Sequence, residues 1–114
     1  MNVTENRPWG NYTILLDDND CKVKTIIIKS GESPSYQYHF KRKENWIILQ
    51  GCGKLILNDT ERDIKAGDHI FVDKLEKHKI INTGQEDLKF IEIQTGEYFG
   101  EDDIVRLEDK YGRK

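Results

Sequence analysis

Four side chains that can bind a divalent metal are spaced so that β-strand geometry could bring them together. Gln37 and His39 are two residues apart in a segment that predicts a strand, so their side chains point to the same face. A predicted turn over residues 40–43 would return Glu44 on the neighbouring strand, and His78 begins a later predicted strand. Two imidazoles, one carboxylate and one amide oxygen suit Zn, Mn, Co, Ni or Fe. The pattern therefore leaves two interpretations open: a site for one divalent metal ion, with Zn as the first choice, or four structural side chains that do not converge.

Three consecutive basic residues, Lys41, Arg42 and Lys43, lie within the same stretch. The planar guanidinium of Arg42 can donate two parallel hydrogen bonds to an oxyanion, so this cluster predicts an anionic ligand beside the metal. Arg106 is a further candidate for binding that ligand. The alternatives are a solvated turn for the cluster and an exposed position, paired with nearby carboxylates, for Arg106.

Three other side chains permit more than one interpretation. Trp9 and Trp46 could line a sugar-binding pocket, because sugar faces pack well against indole rings, or they could belong to the hydrophobic core. His69 lies at the start of a predicted strand, and we interpret it as structural or exposed.

The length and charge of the chain limit the classes of function. The 114 residues predict a single domain over 1–114, because this length supports one substantial core but not two. The net charge of −3 gives no overall attraction to nucleic acid or to an anionic membrane. No apolar run approaches the roughly 20 residues that span a bilayer, and no secretory signal is evident. The two cysteines are far apart, which is typical of reduced thiols. We therefore expect a cytoplasmic protein without nucleic-acid or membrane partners.

Short runs of β-branched and aromatic residues recur along the chain and are separated by turn residues. Strands of this length and spacing are typical of an antiparallel sandwich or barrel, so the predicted fold class is all-β. The nine predicted strands cover residues 11–16, 21–29, 36–40, 45–51, 53–58, 61–66, 69–73, 78–82 and 88–94.

The C-terminal segment departs from this pattern. Ile104, Leu107 and Tyr111 fall on one helical face. Acidic residues at 101–103 would begin the helix, where its dipole favours anions, and Gly112 would follow its end. The sequence therefore predicts one short C-terminal helix that closes the β domain.

Two motifs resemble those of the cupins, and three longer blocks resemble one cupin family. The first motif is formed by Gly31, Gln37, His39, Glu44 and Gly51, with Gln37 in place of the usual histidine, and the second by Gly67, His78 and Asn82. The blocks are "RPWGNY" at 7–12, "QYHFKRKENW" at 37–46 and "IEIQTGEYFGEDDIVRLEDKYGR" at 91–113. They resemble the cupin domain of type II mannose-6-phosphate isomerases, which in that family usually follows a mannose-1-phosphate guanylyltransferase domain.

This resemblance implies a cupin double-stranded β-helix barrel, similar to a jelly roll, with an active site in its mouth. It implies an active-site role for Arg42 and a divalent metal bound by residues matching Gln37, His39, Glu44 and His78. No nucleotidyltransferase region is present in the sequence, so we expect a cupin domain that stands alone, with a separate guanylyltransferase as a possible partner. Small cupins often pair through strands or sheet edges, so we also expect a homodimer.

The chain departs from the family pattern near the predicted site. Phe40, Lys41 and Asn45 replace histidines of a segment that commonly reads like "HHHRAEHW". Asp73 and Leu75 stand where the second motif usually contains proline and glycine. These changes bear on which sugar is bound rather than on the metal ligands.

The function implied is a metal-dependent aldose–ketose isomerase that interconverts mannose 6-phosphate and fructose 6-phosphate and so supplies nucleotide-sugar and polysaccharide synthesis. The metal would polarise the sugar carbonyl, Arg42 would contact the phosphate or the enediolate, and a base would move a proton between C1 and C2. Lys41, Glu44 and Asp73 are the candidates for this base or its support. Substrate binding is assigned to Arg42, Lys43, Asp73 and Arg106. The alternatives are a non-catalytic cupin that binds a sugar phosphate or nucleotide sugar, and a cupin epimerase or ketoisomerase of another activated sugar.

Overall fold

The computed structural model describes residues 2–108, and within this range it consists of eleven β-strands and no helix. The nine predicted strands correspond to β2 through β10, so the all-β fold class is confirmed. The strands are β1 (Val3–Arg7), β2 (Gly10–Asp17), β3 (Cys21–Ile28), β4 (Tyr36–Tyr38), β5 (Arg42–Gln50), β6 (Cys52–Leu57), β7 (Thr60–Lys65), β8 (His69–Val72), β9 (His78–Asn82), β10 (Leu88–Gly96) and β11 (Val105–Glu108). No helix within the described range could span a membrane.

The strands form two antiparallel sheets. The six-stranded sheet has the order β1-β2-β3-β10-β5-β8, and the five-stranded sheet has the order β11-β4-β9-β6-β7. Consecutive strands are often in different sheets, so many of the strands that pair with each other are far apart in the sequence. For example, β10 lies between β3 and β5. This arrangement is an antiparallel sandwich of the kind that the strand spacing predicts.

Side-chain alternation along the strands produces the core between the sheets. On β5, Trp46 and Ile48 are only 3% and 1% exposed, whereas Ile47 and Leu49 on the opposite face are 38% and 44% exposed. Buried side chains from both sheets form a single cluster. Full burial of one such aliphatic side chain contributes about 1.5–3 kcal/mol relative to exposure.

The inward-facing positions change from apolar to charged part of the way along four of the central strands. All of these side chains are buried, so the change is not a change from core to surface. The interior therefore has an apolar half and a charged half. The pairs at the boundary are Ile26 and Lys24 on β3, Trp46 and Glu44 on β5, Ile80 and His78 on β9, and Phe90 and Glu92 on β10.

The predicted C-terminal helix is wrong for the part of it that the structure describes. Residues 105–108 form β11, which pairs with β4, so that Val105 is opposite Tyr38 and Arg106 is opposite Gln37. Backbone hydrogen bonds to the edge of β4 stabilise the extended conformation, and this tertiary contact outweighs a weak local helical pattern. Tyr111 and Gly112, which also supported the helix, lie outside the described residues.

One glycine fixes the start of β5, where the predicted ligands begin. Gly96 on β10 is paired with Arg42 and has a φ of 138°, which side-chain-bearing residues rarely adopt. A Cβ atom at Gly96 would collide with the backbone carbonyl oxygen of Lys41. The close approach of the two strands at this point places Arg42, and two residues later Glu44, inside the molecule.

Candidate metal centre

A pocket lies between the two sheets at the charged end of the interior. Gln37, His39, Glu44 and His78 all line it, so the structure brings the four predicted ligands to one place. His39 follows β4 directly, and Gln37 on β4 is the cross-strand partner of His78 on β9. Glu44 reaches the pocket from β5 in the opposite sheet.

His39, Glu44 and His78 form a compact group. One ligand atom from each residue can be chosen so that all three atoms lie within 4.8 Å of one another. The three side chains are almost completely buried, at 2–3% exposure. The amide of Gln37 lies beside this group, where its Oε1 accepts a hydrogen bond from Ser35 Oγ at 3.1 Å.

Backbone carbonyl groups orient both imidazoles. His39 Nδ1 lies 2.6 Å from the carbonyl oxygen of Asp103, and His78 Nδ1 lies 2.9 Å from that of Glu76. A carbonyl oxygen only accepts hydrogen bonds, so Nδ1 carries the proton in each ring and the lone pair is on Nε2. His78 Nε2 is buried and has no hydrogen-bond partner among the described residues. Metal-binding histidines are held by second partners in this way.

Glu44 is ionised. Its Oε2 accepts a hydrogen bond from Arg42 Nε at 2.8 Å, and its Oε1 accepts one from Trp46 Nε1 at 2.9 Å. Burial alone would raise the pKa of Glu44, but the charge of Arg42 and the hydrogen bond from Trp46 hold it well below its usual range. The carboxylate is therefore available as a negatively charged ligand.

His39 is neutral near pH 7. Burial lowers its pKa to about 4, because the opposing charge of Glu44 offsets the loss of hydration only in part. Its Nε2 lies 3.3 Å from Glu44 Oε2 and 3.3 Å from Arg42 Nη2. A neutral imidazole is the form that binds a metal.

These residues fit a divalent cation. Together they offer two imidazole nitrogens and one carboxylate oxygen, and the unpartnered Nε2 of His78 is a buried acceptor that a cation would satisfy. The group His39, Glu44 and His78 can therefore hold a divalent metal. The participation of Gln37 and the identity of the metal remain predictions.

The other predicted site residues fall into two groups. Arg42 and Arg106 line the pocket, and so do both tryptophans, which also belong to the hydrophobic core cluster. Lys41, Lys43 and Asp73 have exposed side chains that lie outside the pocket lining. The ammonium group of Lys41 instead lies 5.2 Å from the ring centroid of Tyr98.

A further set of charged residues in the pocket was not found by sequence reasoning. It includes Lys24, Glu92 and Glu101, with Tyr12 and Arg7 further along. A signal was present, since Glu92 is two residues from Phe90 on β10 and so shares its inward face. Burial, and then repulsion from Glu44, raise the pKa of Glu92 to about 8. A buried carboxyl group with this pKa is unusual outside functional sites.

Solved structures with similar coordinates identify the class of protein. A protein with a double-stranded β-helix domain from Klebsiella pneumoniae has a TM-score of 0.75 at 20% identity, over 85% of this chain and 83% of that chain. A candidate sugar phosphate isomerase from Acidithiobacillus ferrooxidans has a TM-score of 0.62 at 26% identity, over 67% of this chain and 50% of that chain. The fold is therefore that of the cupins, the double-stranded β-helix proteins.

Sequence comparison identifies the family within this class. The family model described as mannose-6-phosphate isomerase C-terminal matches residues 1–109, and the chain belongs to this family. A mannose-1-phosphate guanylyltransferase from Salmonella montevideo is 39% identical over 107 residues, which are 94% of this chain and 23% of that protein. The chain thus spans less than a quarter of the length of this relative. The family predicted from the motifs is confirmed.

Proposed function

We propose that this chain is a metal-dependent aldose–ketose isomerase that interconverts mannose 6-phosphate and fructose 6-phosphate. One observation carries the proposal: in a chain of this family, His39, Glu44 and His78 present metal-binding atoms to a pocket whose walls also carry Arg42 and Arg106. The divalent metal, when bound, supplies a Lewis acid that polarises the sugar carbonyl.

Arg42 contacts an anionic group of the substrate. Its Nη1 is buried and has no hydrogen-bond partner within residues 2–108, so it can donate to an oxyanion of the substrate without breaking an existing bond. Its Nε remains bonded to Glu44, which fixes the direction of the guanidinium group. The arginine is therefore positioned before the substrate binds.

We assign proton transfer between C1 and C2 to Glu92. Three carboxyl groups of the described residues line the pocket. Glu44 belongs to the ligand group, and Glu101 is about half exposed and bonded to Lys24 at 2.8 Å. Glu92 is buried, and its closest ion pair is the longer one with Arg42 Nη2, at 3.9 Å. Its pKa of about 8 lies near neutral pH, as a group that both takes and returns a proton requires. Lys41 and Asp73 line no part of the pocket, so they receive no role here.

The name of the Salmonella relative supports a place for the reaction in nucleotide-sugar synthesis. Mannose 6-phosphate is one step of phosphate migration away from the mannose 1-phosphate that a guanylyltransferase consumes. We therefore propose a guanylyltransferase as a functional partner. The expected homodimer and the cytoplasmic location remain predictions.

A coupled isomerase assay tests the proposal. The protein is stripped of metal, reloaded with Zn, Mn, Co or Ni, and supplied with mannose 6-phosphate. We expect turnover only with metal, and we expect His78→Ala to lose both bound metal and turnover. His69→Ala is the matched control, because His69 is exposed and bonded to Asn45 at 2.9 Å, away from the pocket lining.

The possible failures of this assay have different meanings. Tight metal binding without turnover of this substrate would overturn the isomerase assignment and favour a non-catalytic cupin or one that acts on another activated sugar. Equal loss of metal in His69→Ala would overturn the assignment of the metal to the pocket. Retention of full turnover in Glu92→Gln would overturn the assignment of the base.

A further inference from the structure

A second set of charges lies in the pocket, on the wall opposite the histidines. Lys24 on β3 is only 3% exposed, and its ammonium group donates a hydrogen bond to Glu101 Oε2 at 2.8 Å. The same oxygen lies 3.6 Å from Nη1 of Arg42, which is 6% exposed. Two buried cations therefore point toward one carboxylate oxygen.

This carboxylate does not satisfy both cations. The distance of 3.6 Å from Arg42 Nη1 is too long for a hydrogen bond, and Nη1 has no other hydrogen-bond partner in the described part of the chain. Nε of Arg106, another pocket residue, is also buried without a partner in the same range. Buried donors without acceptors are rare and costly, so these two arginine atoms are available to an acceptor on a ligand.

Lys24 is held in place more firmly than Glu101. Its ammonium group lies 4.1 Å from the ring centroid of Tyr12, and the guanidinium of Arg7 lies 5.1 Å from the same ring. Glu101, by contrast, lies in the connection between β10 and β11, and its side chain is 48% exposed. The cations are thus part of the rigid wall, and the carboxylate reaches them from the solvent side.

We propose that Lys24 and Arg42 form a binding subsite for a phosphate group, and that the carboxylate of Glu101 fills this subsite when no ligand is bound. A phosphate monoester has three terminal oxygens, so it can accept hydrogen bonds from both cations at once, which a single carboxylate oxygen does not. It also carries more negative charge than a carboxylate. The identification of the ligand as a sugar phosphate rests on the proposed function, but the subsite itself does not.

The alternative is that Glu101 serves only as the permanent counter-ion of Lys24. A buried lysine requires a partner, and one carboxylate is sufficient for this purpose. In that case an added phosphate would meet an occupied site, and neutralising Glu101 would weaken the protein without improving anion binding. The two interpretations therefore predict opposite effects of the same substitution.

Calorimetric titration of the full chain with inorganic phosphate distinguishes them. We expect Glu101→Gln to bind phosphate at least about fivefold more tightly than the wild type, the effect of removing one like charge at close range near water. Glu97→Gln is the matched control, since Glu97 is exposed in the same connection and paired only loosely with Lys74 at 3.6 Å. This control should leave phosphate affinity unchanged.

A double variant tests the role of the lysine without leaving a buried charge unpaired. Lys24→Met combined with Glu101→Gln replaces the ion pair by neutral side chains of similar length, so it is expected to fold. We expect it to lose the gain in phosphate affinity shown by Glu101→Gln alone. Phosphate should also raise the melting temperature of Glu101→Gln more than that of the wild type.

Three results would overturn the subsite: Glu101→Gln binds phosphate no more tightly than the wild type, Glu97→Gln shows the same gain, or the double variant keeps the gain. The outcome is independent of turnover. If phosphate binds as expected but mannose 6-phosphate is not isomerised, the subsite stands and the proposed function fails. If turnover is found but these variants do not change phosphate affinity, the function stands and the subsite fails.

Discussion

The two halves of the interior are built by the same strands but differ in whether all of their buried polar atoms have hydrogen-bond partners. In the apolar half, side chains such as Ile48 and Leu88 are 0–1% exposed and need no polar partner. In the charged half, buried polar groups depend on one another. Within residues 2–108, all four buried side-chain atoms without a hydrogen-bond partner belong to residues of the charged half, namely Arg42, His78, Gln94 and Arg106.

This difference indicates that the apolar half serves mainly stability and the charged half mainly function. A chain selected only for stability would continue the apolar pattern of β5 and β10 to their ends, because apolar side chains of similar volume are often at least as stabilising as buried ion pairs. The charged half breaks the pattern at Glu44 and Glu92 and leaves atoms unsatisfied. Local departures from the folding pattern are expected at functional sites.

The apolar half should carry most of the stability. We expect Ile48→Ala to lower the free energy of unfolding by about 2–5 kcal/mol, because it leaves a cavity among fully buried neighbours. Leu49→Ala, one residue away and 44% exposed, should cost less than about 1 kcal/mol. Denaturant unfolding measures both. Equal losses would mean that β5 does not have distinct inner and outer faces. Because Ile48 is in the apolar half, we also expect Ile48→Ala that has folded to bind metal as tightly as the wild type.

The charged half should make stability depend on pH. The pKa of Glu92 is raised from 4.5 to about 8, so the folded state holds its proton while the unfolded chain releases it. Stability should therefore fall as pH rises through this interval, by up to about 1.4 kcal/mol per pH unit. Unfolding in the presence of a chelator between pH 6.5 and 8 avoids His39, whose lowered pKa acts in the opposite direction below pH 6.5.

Glu92→Gln should remove this dependence of the free energy of unfolding on pH. Glu97→Gln, which changes an exposed carboxylate, should keep it. The glutamine cannot ionise, so its folded and unfolded states bind the same number of protons at this position. A slope that persists in Glu92→Gln would show that another group is responsible and that the buried carboxyl is already ionised.

The smallest effect is expected at Asp103, which supports the segment that follows β4 and the imidazole of His39. The carboxylate of Asp103 accepts hydrogen bonds from the backbone N–H groups of Phe40 and Lys41 at 3.0 and 2.9 Å, and its own carbonyl group orients His39. Asp103→Ala should release this connection and lower metal affinity about tenfold, the usual effect of losing the support of a ligand. Competition with a metal indicator measures the affinity.

Asp102→Ala is the control for that measurement. Asp102 is exposed, and its carboxylate accepts a hydrogen bond from Tyr98 at 2.5 Å rather than contacting the turn before β5. An equal loss of affinity in both variants would indicate a general effect of negative charge in this segment. A loss confined to Asp103→Ala would locate the effect in the support of His39.

Sequence reasoning found the candidate metal ligands because their signals are local. Gln37, His39 and Glu44 lie within eight residues, and alternation along a strand is enough to give them a common face. His78 was added by its position at a strand start and by the cupin motif. The strands of the core were found in the same way, because period-two alternation survives in any antiparallel sheet.

Lys24 and Glu92 were missed because they are brought together only by sheet order. Lys24 and Glu92 are cross-strand partners in β3 and β10, which are more than sixty residues apart in the chain. In isolation each resembles an ordinary charged residue on the outer face of a half-buried strand. The prediction of a C-terminal helix was wrong for a related reason. Residues 105–108 form a strand because they pair with the edge of β4, and local periodicity does not indicate that pairing.

The contact between His39 and Asp103 also has a consequence for the time at which the site is completed. The two residues are 64 positions apart, and ribosomes add about 5–20 residues per second, so the imidazole waits roughly 3–13 s for its carbonyl partner. β4, β5 and β9 have all been made by then. The support of His39 is therefore completed only after all the other strands that contribute to the candidate metal site have been made.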